Sequence, residues 1–294
     1  METISRQNKP QQQLIGAHMS AAGGVHKAVE RAEAAGATAL QVFTRNQRQW
    51  NAPPLEEHDA ELFTAAVRRW GGYPVSSHAS YLINPAADTP EGAERSVALM
   101  ADELQRAGRL GIEMVVVHPG AHKGQGEAAG AALAAARLDE ALERCGSPAV
   151  MVLLENTAGQ GTMLGASFAG LAAVIEASRM PERYGICLDT AHAFGAGYDL
   201  RDAALYDAAI RELDVCAGLD RLRLVHANDS LTGLGSRRDR HTHIGQGELG
   251  EAAFRLLMRD ERLHHVPKVL ETPKGKGPEE DMMNMAVLRR LACP

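Results

Sequence analysis

Short apolar runs and longer amphipathic stretches alternate eight times along this chain. The runs lie at residues 14–18, 39–44, 74–78, 114–117, 150–154, 186–188, 222–225 and 266–270 and are rich in Val, Ile and Leu. That is the pattern of strands buried on both faces. Between and after them, residues 25–35, 55–70, 91–110, 127–144, 168–178, 203–217, 251–258 and 279–291 carry helical spacing, and Gly36 and Gly111 stop two of these helices. Eight regular units with no break in composition predict a single (β/α)8 TIM barrel over residues 14–294. An open doubly wound sheet would have no reason for eight such units. Residues 1–13 are polar and predict an N-terminal extension without order of its own.

What distinguishes the runs is how they end. His78, His118, Glu155, Asp189, His226 and Glu271 each stand at or just beyond the end of one. Pro119 pushes the residue before it out of helical geometry and so keeps His118 at a strand end. A carboxylate directly after the apolar run 150–154 is costly to bury unless something neutralises it. In a barrel all these ends converge on one face, where active sites are built. His192, three residues beyond Asp189, and Asp239 and His241 in the long loop 231–248 lie over the same face. Taken singly, Asp189 reads equally well as the cap of a following helix, and Gly195 and Gly197 suggest a loop after it. Nine imidazoles and carboxylates together suit divalent metal ions, and with four acids among them they suit three. The absence of Cys from the set points to Zn²⁺ with Mn²⁺ as the alternative occupant. Adjacent ions clamping a phosphodiester make in-line hydrolysis the natural reaction.

A net charge of −6 does not advertise a nucleic-acid binder. A polyanion must then be held by metal ions and local cations, for which Arg45, Arg48, Arg237, Arg238 and Arg240 are the candidates. On composition alone, residues 45–50 read as a solvated loop anchored by Trp50, and Tyr81 and Leu82 as residues that fold back on the core. The four cysteines (Cys145, Cys187, Cys216, Cys293) show no paired spacing, which fits a reducing compartment and argues against a zinc ribbon. A polar leader without a signal-peptide core, and no run long enough to span a bilayer, predict a cytoplasmic protein without membrane contact.

Several segments resemble the endonuclease IV family of apurinic/apyrimidinic (AP) endonucleases. They are Gly16-Ala-His-Met-Ser-Ala-Ala-Gly-Gly24, Phe43-Thr-Arg-Asn-Gln-Arg-Gln-Trp50, His78-Ala-Ser-Tyr-Leu-Ile-Asn84, Glu155-Asn-Thr-Ala-Gly-Gln-Gly161, Leu188-Asp-Thr-Ala-His-Ala-Phe194 with Gly197-Tyr-Asp199, and Asp239-Arg-His241. The similarity runs over residues 15–272. It implies a zinc-dependent TIM barrel that cuts duplex DNA on the 5′ side of abasic sites, leaving a 3′-hydroxyl and a 5′-deoxyribose phosphate. Activity on 3′-blocked ends is implied as well. Residue by residue, His78, His118 and Glu155 resemble the ligands of a first ion. Glu155, Asp189, His226 and Glu271 resemble those of a second, with Glu155 bridging, and His192, Asp239 and His241 those of a third. The family mechanism implies a metal-bridging hydroxide as nucleophile, oriented by Glu271. Arg48, Gln49, Tyr81 and Leu82 resemble residues that enter the DNA and hold the abasic nucleotide flipped out. Arg45, Asn46, Gln47, Arg237 and Arg240 complete the expected DNA contacts, and the resemblance implies a monomer with no obligate protein partner. His18 and His243 match no ligand position. A sugar isomerase would need neither the 239–241 loop nor Arg48 and Tyr81-Leu82, and a non-catalytic damage-binding module would not need nine ligands.

Overall fold

In the computed structural model, which describes residues 13–293, all eight apolar runs form strands. The chain begins with β1 (Ile15–Met19), α1 (His26–Ala34), β2 (Ala39–Val42), α2 (Glu57–Arg69), β3 (Val75–His78) and α3 (Pro90–Leu110). It continues with β4 (Met114–Val117), α4 (Glu127–Cys145), β5 (Met151–Glu155), α5 (Phe168–Ala177) and β6 (Tyr184–Asp189). A short helix α6 (Thr190–Ala196), α7 (Ala203–Ala217) and β7 (Leu222–His226) follow. Last come β8 (Asp229–Ser230), β9 (His241–Thr242), α8 (Gly250–Arg259), β10 (Lys268–Leu270) and α9 (Glu279–Ala292). Strands β1 to β7 pair in sequence and β10 closes the ring between β7 and β1, every pairing parallel. The expected (β/α)8 barrel is therefore the fold.

Local chemistry starts and stops the helices where the pattern required. Thr89 caps α3 by accepting the Gly92 N–H (3.2 Å), Pro90 occupies its first turn, and Gly111 ends it at φ 71°. Ser167 caps α5 and Asp202 caps α7 in the same way. The large apolar core lies between helices and the outward faces of the strands. A smaller cluster of Ala39, Val116, Leu153, Cys187, Leu224 and Val269 fills the inside of the barrel.

Strand periodicity of two now decides what crowns that interior. Two residues beyond each inner apolar side chain stands Gln41, His118, Glu155, Asp189, His226 or Glu271. His18 and His78 complete the ring from β1 and β3. Each of the eight barrel strands thus contributes one polar side chain to the C-terminal mouth. The register sets His18 level with Gln41 and Asp189 with His226, and steps by two residues between such pairs, so that Gln41 lies opposite Ser76 and Glu155 opposite Cys187.

Two segments differ from the sequence reading. The Gly195–Gly197 stretch was expected to be a loop, but residues up to Ala196 form α6, and only Gly197 leaves helical geometry, at φ 115°. The long 231–248 loop is pinned by an antiparallel pair, Asp229 with Thr242 and Ser230 with His241. The polar extension expected over residues 1–13 lies outside the described residues except for Gln13, whose amide donates to the Met258 carbonyl (3.2 Å). All four cysteines are unpaired, and among the described residues no helix is long and apolar enough to cross a membrane.

Candidate metal centre

Glu155 is the hub of the mouth. It is fully buried, and its two oxygens face different imidazoles. Oε2 lies 3.1 Å from His78 Nε2 and 2.9 Å from His118 Nε2. Oε1 lies 2.9 Å from His226 Nδ1 and 3.3 Å from His192 Nδ1. His226 Nδ1 is also 3.3 Å from Glu271 Oε2 and 3.9 Å from Asp189 Oδ2. On the far side, His192 Nε2 sits 3.3 Å from Asp239 Oδ2, and His241 Nε2 sits 3.2 Å from Asp239 Oδ1 and 3.5 Å from Asp189 Oδ2.

These atoms form three groups whose members could each hold one ion: His78, His118 and Glu155; Glu155, Asp189, His226 and Glu271; and Asp189, His192 and His241. Asp239, the remaining residue of the expected third set, faces both histidines of the last group. All nine expected ligand residues are therefore in one cup. Asp189 belongs to two groups, as Glu155 does, because its oxygens are divided. Oδ1 caps α6 by accepting the His192 N–H (2.7 Å), while Oδ2 accepts from the Asn228 amide (2.7 Å) and faces the imidazoles. Helix cap and candidate ligand are one residue.

A layer of neutral partners aims the imidazoles. His78 Nδ1–H donates to the Ala79 carbonyl (2.8 Å), His192 Nδ1–H to the Asn156 carbonyl (3.0 Å), and His226 Nε2–H to Gln41 Oε1 (2.9 Å). The other nitrogen of each ring, Nε2 of His78 and His192 and Nδ1 of His226, then faces the carboxylates and is the one placed to offer a lone pair to a cation. Lone pairs aimed at carboxylate oxygens repel unless a cation lies between them. His241 Nε2 makes the point most directly: it is buried, has no hydrogen-bond partner among the described residues, and has two carboxylates beside it. Imidazole nitrogen and carboxylate oxygen without thiolate is a donor set for Zn²⁺ or Mn²⁺, so the residues present fit such ions.

The electrostatics agree. Burial pushes the Glu155 carboxyl up, but His118, His226 and His192 outweigh it and hold it well below the usual carboxylate range. Glu271 is likewise held low by His226 and His18 against burial. Burial pushes His78, His192 and His226 down, and neighbouring acids more than reverse it, so all three stand above the ordinary value. Without ions the cup keeps protons between its carboxylates; ions entering would displace them.

Gln41 was not anticipated as a site residue. It is fully buried in β2 and touches His226, Glu271 Oε1 (2.6 Å) and His18 Nδ1 (3.0 Å). A polar letter inside the run 39–44 was its only signal. His18 also lies 3.3 Å from Glu271 Oε1 and packs on Phe43, so it braces Glu271 rather than joining a group. His243 is taken up by the Asn284 amide (3.1 Å) and stays out of the cup.

A cleft of about 1000 Å³ opens over the cup, lined by residues from the 44–55 loop, Tyr81, Arg240 and Lys274. Asn46, Arg48, Gln49, Arg237, Arg238 and Arg240 are exposed, and Tyr81 is 61% exposed beside His78. Arg45 departs from its expected role as a phosphate contact. Its side chain is 3% exposed, paired with Asp102 and bonded to the Gln49 (3.1 Å) and Trp50 (2.8 Å) carbonyls. A guanidinium so occupied shapes the loop and has little left for DNA. Gln47 lines the cleft, and its backbone carbonyl accepts from the Ser80 hydroxyl (2.7 Å).

A family model of xylose isomerase-like TIM barrels matches residues 29–291. Fold and cup together define a TIM barrel of that class with a histidine–carboxylate centre at its C-terminal mouth. Within it, the probable endonuclease 4 of Chloroflexus aggregans is 49% identical over 277 residues, covering 94% of this chain and 97% of the relative. That of Nitratidesulfovibrio vulgaris is 50% identical over 279 residues, covering 95% and 99%. The crystal structure of endonuclease IV from Thermus thermophilus superimposes with a TM-score of 0.85 at 41% identity, covering 95% of this chain and 98% of that one. The chain belongs to the endonuclease IV family. A D-tagatose 3-epimerase-like protein, at 17% identity and a TM-score of 0.72, shares the fold.

Proposed function

We propose that this endonuclease cuts duplex DNA on the 5′ side of abasic sites, leaving a 3′-hydroxyl and a 5′-deoxyribose phosphate, and that it also removes 3′-blocking groups. We propose further that the cup holds three divalent ions, Zn²⁺ with Mn²⁺ as an alternative. His78, His118 and Glu155 would hold one; Glu155, Asp189, His226 and Glu271 the second; and His192, Asp239 and His241 the third. The observation that carries this reading is the division of Glu155: Oε2 faces His78 and His118, and Oε1 faces His226. Such ions supply Lewis acidity, which stabilises charge on phosphate oxygens and acidifies a water.

The chain's own residues then have separable tasks. Glu155 keeps the first two groups in register. Glu271 orients the attacking water with Oε2 while Gln41 and His18 fix Oε1. Exposed Arg48, Arg237 and Arg240 meet phosphates that an acidic protein would otherwise repel. Tyr81 and Gln49 at the cleft, with Leu82 next to Tyr81 in the chain, fill the space vacated when the abasic nucleotide leaves the stack, at an unstacking cost of a few kcal/mol that is least where a base is missing. The enzyme acts as a monomer in the cytoplasm. The isomerase reading leaves the exposed arginines and Tyr81 without work, because a sugar has no phosphate backbone to hold.

Nicking of an abasic duplex oligonucleotide by the wild type and by Glu271→Gln tests this. The wild type should incise on the 5′ side, and the variant should bind the same duplex but lose incision. Full incision by Glu271→Gln would remove Glu271 from the reaction.

A further inference from the structure

One buried acid outside the cup has no part in the chemistry. Glu103 lies in α3 and is 1% exposed, at a position where an amphipathic helix would ordinarily place Leu. Burying a carboxyl is costly unless its oxygens are satisfied. Its partners are specific: Oε2 accepts from the Thr44 hydroxyl (2.7 Å), and Oε1 accepts from the Ser80 N–H (3.2 Å). Thr44 opens the segment that carries Arg48 and Gln49, and Ser80 precedes Tyr81 and Leu82.

The two segments are tied again beyond Glu103. The Ser80 hydroxyl donates to the Gln47 carbonyl, and Leu82 N–H donates back to that hydroxyl (3.3 Å). The same turn of α3 holds the rest of the first segment. Asp102 pairs with Arg45 and Arg106 (2.9 Å to the latter), and Arg106 reaches the Pro53 carbonyl. Both loops proposed to meet the DNA therefore hang on adjacent residues of one helix.

We infer that Glu103 is a positioning residue that locks the Arg48–Gln49 loop against the Tyr81–Leu82 loop, so that both present to the duplex as one surface. This rests on the DNA reading above. Burial pushes the Glu103 carboxyl up to about 7, against the Thr44 hydroxyl and Arg45. A neutral side chain is thus nearly at home there, and Gln, with the same reach, should substitute where Ala cannot.

The experiment measures kcat and KM on an abasic duplex, with metal per chain, for the wild type, Glu103→Ala, Glu103→Gln, Thr44→Val, Ser80→Ala and Tyr81→Ala. Small displacements of substrate-positioning groups carry large kinetic penalties, so Glu103→Ala should raise KM about 10-fold with kcat within about 3-fold. Its metal content should stay unchanged, and Glu103→Gln should stay within about 2-fold of wild type in both constants. Thr44→Val and Ser80→Ala should each raise KM about 3-fold and decide the matter if Glu103→Ala does not fold. Unchanged KM in the Ala variant, or in both hydroxyl variants, overturns the inference. A loss of kcat or metal that Glu103→Gln shares overturns it too. A wild type that leaves abasic duplex intact overturns the DNA reading and the inference with it. Impaired Tyr81→Ala beside an unimpaired Glu103→Ala overturns the inference alone.

Discussion

Asp189 shows why single residues at the mouth are ambiguous in the sequence. Its two oxygens do different work, one ending a strand by capping α6 and one facing His226 and His241. Asp189→Asn keeps a capping oxygen, which is worth about 1 kcal/mol, and removes the charge. It should lower the stability of the metal-free protein by about 1–3 kcal/mol, because an amide in place of Oδ2 meets the Asn228 amide donor to donor, while incision falls beyond the 10- to 100-fold typical of a supporting residue. Gln41 is such a supporting residue, and Gln41→Leu should cost about 10- to 100-fold in kcat/KM at full metal loading. Glu103 gives a pH signature. Its folded value of about 7 stands above the usual 4.5, so the native state binds that proton more tightly. Its contribution is full below 4.5 and fades as pH rises through 7, on the order of 3 kcal/mol. Unfolding free energy measured from pH 5 to 8 should fall less with pH in Glu103→Gln than in the wild type. Candidate ligands were legible as acids and imidazoles breaking apolar runs. Arg45 and Arg48 were not separable, because what turns Arg45 inward is Asp102, on a helix far along the chain.

At the scale of elements, legibility followed periodicity. Eight strands and their helices announce themselves because each repeats a spacing long enough to read. The β8–β9 pair has two residues a side, too few for any period, and its organiser is one carboxylate. Asp229 accepts N–H groups from Ser230, Gly245, Gly247 and Leu249 at 2.8–3.0 Å. A Cβ on Gly247 would lie 2.4 Å from Asp229 Oδ1, so that backbone approach requires glycine. This hairpin brings Asp239 and His241 to His192. Asp229→Ala and Gly247→Ala should therefore loosen the third group, leaving the barrel's circular dichroism intact while bound metal falls from about three to about two per chain. Equal loss at all sites would mean that the hairpin supports the whole cup.

Across the whole molecule, net charge misleads, because the surface that matters is local. Exposed Arg240 lines a cleft over a cup that could hold cations, and Arg48, Arg237 and Arg238 are exposed as well, on a chain that is acidic overall. Replacing Arg48 by Ala should weaken duplex binding and lower the log–log salt slope by about 1, with metal content unchanged. The barrel mouth also carries a cost. Glu155 and Asp189 are fully buried carboxylates, so ions that neutralise them should stabilise the fold as well as the reaction. At roughly 1,000-fold saturation binding adds about 4 kcal/mol, and chelation should lower the melting temperature by about 10 °C.

The most direct test is elemental analysis of fully active enzyme, with incision followed as the ions are withdrawn. About three ions per chain are expected, one for each group. Incision should fall in step with their removal and return on zinc addition. Full incision by a chain holding none would contradict the account.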